Sequence, residues 1–142
     1  MAESKPPVEV ELTWDGDLRF RGHAGQAPVV VDSDGLAGPS PVQSLALALA
    51  GCMSVDVVHI LEKGRQPLRG LRAHLRAERA AEDPHRLVRV DLSFEVSGEI
   101  APDKVERAIA LSREKYCSVW HSLRPDIDFR TSFTVAEGRP TT

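Results

Sequence analysis

Cysteine and aromatic residues are scarce in this chain. Its 142 residues include two Cys, two Trp, one Tyr and four Phe. Two cysteines 65 positions apart cannot staple a small disulfide scaffold. A chain of ~150 residues does not need one, because it buries roughly two-thirds of its unfolded surface. No CxxC or HExxH is present, so nothing in the spacing demands a metal, and no metal or cofactor is expected. Neither sign of charge dominates: 18 basic residues against 21 acidic leave a net −3. That balance argues against nucleic acid and against a polybasic membrane surface as partners. The longest uncharged apolar run, Leu45 to Met53, falls short of the ~20 residues a bilayer requires. The opening MAESKPPVEVEL has no basic segment followed by an apolar one, so no signal peptide is expected and a cytoplasmic location is the simplest reading. In such a compartment a pair of cysteines is reactive, metal-bound or inert rather than structurally bridged.

What is present is a set of clear periodicities, with 42% of residues hydrophobic. Val8, Val10, Leu12 and Trp14 alternate with Glu9, Glu11 and Thr13, which predicts a strand. Asp15-Gly16-Asp17 reads as a hairpin turn, followed by a strand at 18–22 and another at 28–32. Ser40 suits a helix N-cap and Pro41 the first helical position. The helix then runs from Pro41 to about Lys63, with Gly64 as its stop, over roughly 35 Å. Its first turns are Ala and Leu nearly all round, which predicts a buried central element. Residues 71–77 alternate, although Ala, Leu and Arg there also favour helix. The alternation over 88–96 is unbroken, and the two segments are expected to form a hairpin with one charged face. Pro102 opens a second helix that carries Cys117 at its end, and 127–135 alternates as a last strand. The order predicts an α+β fold with antiparallel sheets around a long central buried helix. Residues 1–142 are expected to form one domain, with 1–7 loose and 137–142 a tail. One small sheet cannot wrap such a helix, so a second copy of the chain is expected to cover the rest.

The residues able to carry chemistry follow from this layout. Cys52 lies on the apolar helix, sharing a stripe with Leu45, Ala48, Leu49, Asp56 and His59. A free cysteine in that setting can be a small packed hydrophobe. Cys117, on another element, has the same two readings. Together they can form a thiol–disulfide couple, in which a thiolate attacks the peroxide O–O bond and a second thiol closes a disulfide. The attacking thiol needs a nearby cation, which Arg19 or Arg21 can supply. A metal reading rests on Cys52, Asp56 and His59 on one face and on Cys117 and His121 at i, i+4.

Gly38-Pro39-Ser40-Pro41-Val42-Gln43, the Ala/Leu helix and Ala50-Gly51-Cys52 resemble the OsmC/Ohr family of osmotically inducible and organic-hydroperoxide-resistance proteins. Lys115-Tyr116-Cys117-Ser118-Val119 resembles that family's second cysteine motif. The resemblance covers nearly the whole chain. It implies an OsmC-like fold, an intertwined homodimer with central helices back to back, Cys52 as the peroxidatic and Cys117 as the resolving cysteine, and an arginine from the early strands beside Cys52. Arg19 is the better positional match and Arg21 the next. In the peroxidase branches the helix opens with Asn-Pro-Glu, and that glutamate holds the arginine. Here the run is Ser40-Pro41-Val42, so the clamp is missing or rebuilt by another acid such as Asp56. The Gly-Pro-Ser-Pro run resembles a third branch of the family.

The expected function is thiol-dependent reduction of organic hydroperoxides or hydrogen peroxide by the Cys52/Cys117 couple, reset by a dithiol reductant. The alternative is a non-enzymatic dimer that binds an apolar small molecule or senses oxidation, with Cys52 structural.

Overall fold

A computed structural model describes residues 4–136. The chain divides into two compact units, Met1–Leu45 and Ala46–Thr142. Residues 4–9 are exposed and form no regular element, and the expected tail at 137–142 lies outside the described residues.

The first unit holds a three-stranded antiparallel meander of β1 (Val10–Trp14), β2 (Arg19–Ala24) and β3 (Ala27–Asp32), in that spatial order. Gly16 and Asp17 both take positive φ, +94° and +48°, in the turn between β1 and β2. Those values are what a tight hairpin requires. The alternation sorts side chains onto two faces. Glu11, Asp15, Arg19, Arg21 and His23 share one. Val10, Leu12, Trp14 and Phe20 share the other and are exposed in the chain. Asp32 is buried because its carboxylate ties the next loop together, accepting N–H bonds from Asp34 at 3.0 Å and Ala37 at 2.9 Å.

Helix α1 (Pro41–Lys63) has the expected bounds. Its start is a capping box: the Gln43 amide donates to Ser40 Oγ at 3.1 Å, and the Ser40 amide donates to Gln43 Oε1 at 2.9 Å. The left-handed residue beyond its end is Arg65 (φ +59°) rather than Gly64. The buried positions of α1 are one stripe, Leu49, Met53, Val57 and Leu61, at steps of four. Leu45, Leu47 and Val55 are exposed, so in the single chain the helix is buried along one stripe and not all round. By length and composition α1 would also suffice to cross a membrane, more than the run Leu45 to Met53 indicates on its own, and core helices of water-soluble proteins pass the same test.

The second sheet contains β4 (Leu68–Arg79), β5 (Leu87–Gly98) and β6 (Asp128–Ala136), with β5 central. The segment with competing helical propensity is thus a strand; pairing Leu71 to Val96, Ala73 to Phe94 and Leu75 to Leu92 outweighs local preference. One face of β5 supplies Val90, Leu92, Phe94 and Val96 to the core, while Arg72 and Glu95 pair on the other at 3.7 Å. The expectation of antiparallel sheets holds for β4–β5 but not for β5–β6, which are parallel. The chain leaves β5, passes through α2 (Pro102–Leu111) and returns in the same direction, which a parallel pair requires. The fold class is α+β, with two sheets and a long helix.

Candidate active site

The second helix does not run on to the second cysteine. After Leu111 the backbone widens into one π-helical turn, Ser112–Tyr116, and leaves it at Cys117 in an extended conformation (φ −75°, ψ 99°). The Cys117 N–H therefore reaches back five residues, donating to the Ser112 carbonyl at 2.7 Å. Single wide turns of this kind are frequent at functional sites. A short 3-10 turn, Trp120–Ser122, follows.

Cys117 is fully buried, whereas Cys52 on α1 is half-buried. Both are free thiols. The Cys52 and Cys117 thiols lie near enough for Cys52 to perturb Cys117, and Cys52 Sγ lies 3.9 Å from Ser118 Oγ, the side chain next to Cys117. The Trp120 N–H donates to Cys117 Sγ at 3.3 Å, and the Cys117 carbonyl accepts the His121 N–H at 3.0 Å. The Cys117 pKa is pushed up to about 11. Burial is the main cause. The Trp120 and Val119 amides act in the opposite direction, and the Cys52 group adds to the rise by its hydrogen bond and its charge. At neutral pH Cys117 is therefore a protonated thiol beside a more accessible sulfur.

The same end of the second unit carries a second link. Ser112, fully buried, donates its hydroxyl to Asp56 Oδ2 at 2.7 Å. Asp56 lies one helical turn beyond Cys52. Arg113 stacks over Phe129 at 4.8 Å and over Trp120 at 6.0 Å, and the Trp120 and Phe129 rings are 4.5 Å apart. The His121 ring Nε2 bonds the Arg113 carbonyl at 3.0 Å. Among the described residues no group of three or more His, Cys, Asp or Glu is arranged to hold a metal ion.

Arg19 and Arg21 belong to the first unit, where they converge on one acid. Arg19 Nε is 3.2 Å from Asp15 Oδ2, Arg21 Nε bonds the same oxygen, and Arg19 Nη2 donates to the Asp15 carbonyl at 2.8 Å. The Arg21 hydrogen bond, then that of Arg19, holds the Asp15 carboxyl below its ordinary range. In sequence Asp15 is a turn residue, yet it is the acid that both arginines engage. Asp56, the acid suggested there, is engaged by Ser112 instead. The signal was available in the alternation, since positions 15, 19 and 21 share one hairpin face. Gln43, in place of pairing with an arginine, closes the helix cap.

Two cysteines on an α-helix and on a wide turn, with this strand and helix order, can be set against known proteins. The OsmC-like protein family matches residues 32–132. The chain belongs to that family. Among its relatives is Protein YhfA of Escherichia coli strain K12, 35% identical over 132 residues, which are 90% of this chain and 98% of YhfA. A hypothetical protein from Aquifex aeolicus has a crystal structure that superposes with a TM-score of 0.88 at 26% identity, covering 94% of this chain and 99% of its own. The organic hydroperoxide resistance protein OhrB of Bacillus subtilis shares the fold at a TM-score of 0.64 and 14% identity, covering 89% and 98%.

Proposed function

We propose that this OsmC-like protein is a thiol-dependent peroxidase that reduces organic hydroperoxides or hydrogen peroxide through Cys52 and Cys117. The observation that carries the reading is the proximity of a half-exposed thiol to a buried one on separate elements, with Cys52 Sγ 3.9 Å from the Ser118 hydroxyl beside Cys117. The Cys52 thiolate attacks the outer peroxide oxygen, the O–O bond breaks, and the departing alkoxide takes a proton to become the alcohol. Cys52 is left as a sulfenic acid. Cys117 then forms the S–S bond, the S–O bond breaks, and the hydroxide leaves as water with the thiol proton. A dithiol reductant takes up the oxidation and restores both thiols. Burial keeps Cys117 protonated, which suits a group that waits for the sulfenic acid and does not compete for peroxide. The cation that such a thiolate needs is Arg19 or Arg21, whose guanidinium groups Asp15 holds in place of the glutamate that Val42 replaces. OhrB, named for organic hydroperoxide resistance, supports the choice of substrate class. A couple reset by a dithiol suits a reducing compartment such as the cytoplasm.

The working unit in this reading is a homodimer. Val10, Leu12, Trp14 and Phe20 on the meander and Leu47 and Val55 on α1 are apolar surface that a second copy covers. Light scattering is expected to give twice 15.5 kDa, and a mass near 15.5 kDa removes the dimer.

Incubation with cumene hydroperoxide and a dithiol decides the activity: rapid peroxide loss with wild type, none above background with Cys52→Ser. Equal loss in the two overturns the proposal. A second reading, a binder of an apolar small molecule, is favoured by a shallow groove of about 470 Å³ between α1 and β4, lined by Val55, Val58, His59 and Leu71 among others. Under that reading mild peroxide yields neither a Cys52–Cys117 disulfide nor a sulfenic acid by mass spectrometry.

A further inference from the structure

Disulfide closure requires two sulfur atoms on different elements to meet at about 2.05 Å. Apolar packing is non-directional and does not by itself fix the register of a helix against a turn. One directional bond here does so. Ser112, with no exposed surface, donates to Asp56 Oδ2 at 2.7 Å, a short hydrogen bond. On one side of that bond, Asp56 stands one turn from Cys52 along the same stripe of α1. On the other side, the Ser112 carbonyl accepts the Cys117 N–H at 2.7 Å. Cys52, Asp56, Ser112 and Cys117 thus form a frame made of one helical turn, one side-chain bond and one wide backbone turn, with the two thiols near each other at its open side.

The wide turn is secured separately. In an ordinary α-turn the Cys117 N–H would bond to the Arg113 carbonyl. Here that carbonyl is taken by the His121 ring at 3.0 Å. The five-residue reach from Ser112 to Cys117 therefore leaves no orphaned acceptor at Arg113, and the position of Ser112 is transmitted to Cys117.

We infer that the Ser112–Asp56 hydrogen bond is a latch that sets the register of the two cysteines, making Asp56 and Ser112 positioning residues for disulfide closure. The inference rests on the thiol-couple reading but not on peroxide as the oxidant. Attack by Cys52 on an oxidant needs only Cys52. Closure needs the frame. Without the latch, a sulfenic Cys52 waits longer for Cys117, and a second peroxide oxidises it to the sulfinic acid.

The closing step can be read without peroxide. Dithionitrobenzoate reacts with Cys52 to give a mixed disulfide and one thionitrobenzoate. The Cys117 sulfur then attacks the Cys52 sulfur, the mixed S–S bond breaks, a second thionitrobenzoate leaves, and the Cys117 proton goes to solvent. The two releases separate the two steps in one trace. Wild type is expected to show both and Cys117→Ser only the first; a wild-type second release that is absent or independent of Cys117 fails the thiol couple itself. Asp56→Ala and Ser112→Ala are expected to slow the second release at least about tenfold. Asp56→Asn keeps an acceptor oxygen and should stay within about threefold of wild type. A second release at the wild-type rate in Asp56→Ala overturns the latch. So does an Asp56→Asn variant as slow as Asp56→Ala, because the carboxylate charge and not the bond would then matter. The decision rests on the Asp56 variants, since Asp56 is half-buried on a helix and tolerates truncation better than Ser112. With cumene hydroperoxide, Asp56→Ala should also accumulate sulfinic Cys52 while wild type does not.

Discussion

Cys117 is held by opposing forces that give it a pH signature. Burial and the neighbouring Cys52 raise its pKa, while two backbone amides lower it, and the balance lies near 11. Its closing reaction should therefore accelerate roughly tenfold per pH unit over the alkaline range, because only the thiolate attacks. In Cys52→Ser the Cys117 thiol should titrate below 11, since the neighbouring Cys52 sulfur no longer opposes its ionisation; ultraviolet thiolate absorbance follows this directly. The folded state binds the Cys117 proton more tightly than the unfolded chain does. That contribution to stability is whole below the ordinary thiol value of 9.0 and is lost as pH climbs towards 11. Urea midpoints across that window should fall more steeply for wild type than for Cys117→Ser. Asp15 is the other residue with a defined consequence. Asp15→Asn removes the charge that holds Arg19 and Arg21, so peroxide turnover should drop roughly tenfold or more through misplaced guanidinium groups. The melting temperature should barely move, because the cluster is open to solvent. Asp15→Glu should recover part of the rate. Full turnover in Asp15→Asn would remove Asp15 from the arginine clamp.

At the scale of elements, much was legible from periodicity. The bounds of α1 follow from Ser40, Pro41 and Lys63-Gly64, and the cap is as the Ser-x-x-Gln spacing implies. Alternation marks the strands of the second sheet, yet it carries no information on direction, so the parallel pairing of β6 with β5 could not be read from it. The wide turn before Cys117 was equally hidden. It is accompanied by tertiary partners, Asp56 for the Ser112 hydroxyl and His121 for the Arg113 carbonyl, which lie far away or on the next turn. Asp15 escaped notice for a different reason: turn chemistry explains an aspartate there without any ionic partner. The buried stripe of α1 makes a quantitative expectation possible. Met53 has no exposed surface, and Met53→Ala should cost about 2–5 kcal/mol in urea unfolding. Leu47→Ala, on the exposed side, should cost far less in the isolated chain, and a comparable loss at Leu47 would mean that this side is covered in solution.

For the molecule as a whole, the low aromatic content and the Ala/Leu helix now have a common reason. The core of the second unit depends on β-branched and aliphatic side chains, with Phe94 and Phe129 as its fully packed rings. Its two cysteines are neighbours in space although 65 residues separate them along the chain. Joining them ties off a long loop of the unfolded polypeptide. In the chain-entropy picture a loop of that length is worth about 4 kcal/mol to the folded state. The oxidised protein should therefore melt at a higher temperature and resist protease longer than the reduced one, and Cys117→Ser should show no such difference. Each catalytic cycle would then tighten the whole fold and loosen it again, so that how hard the protein is to unravel records whether it last met an oxidant or a reductant.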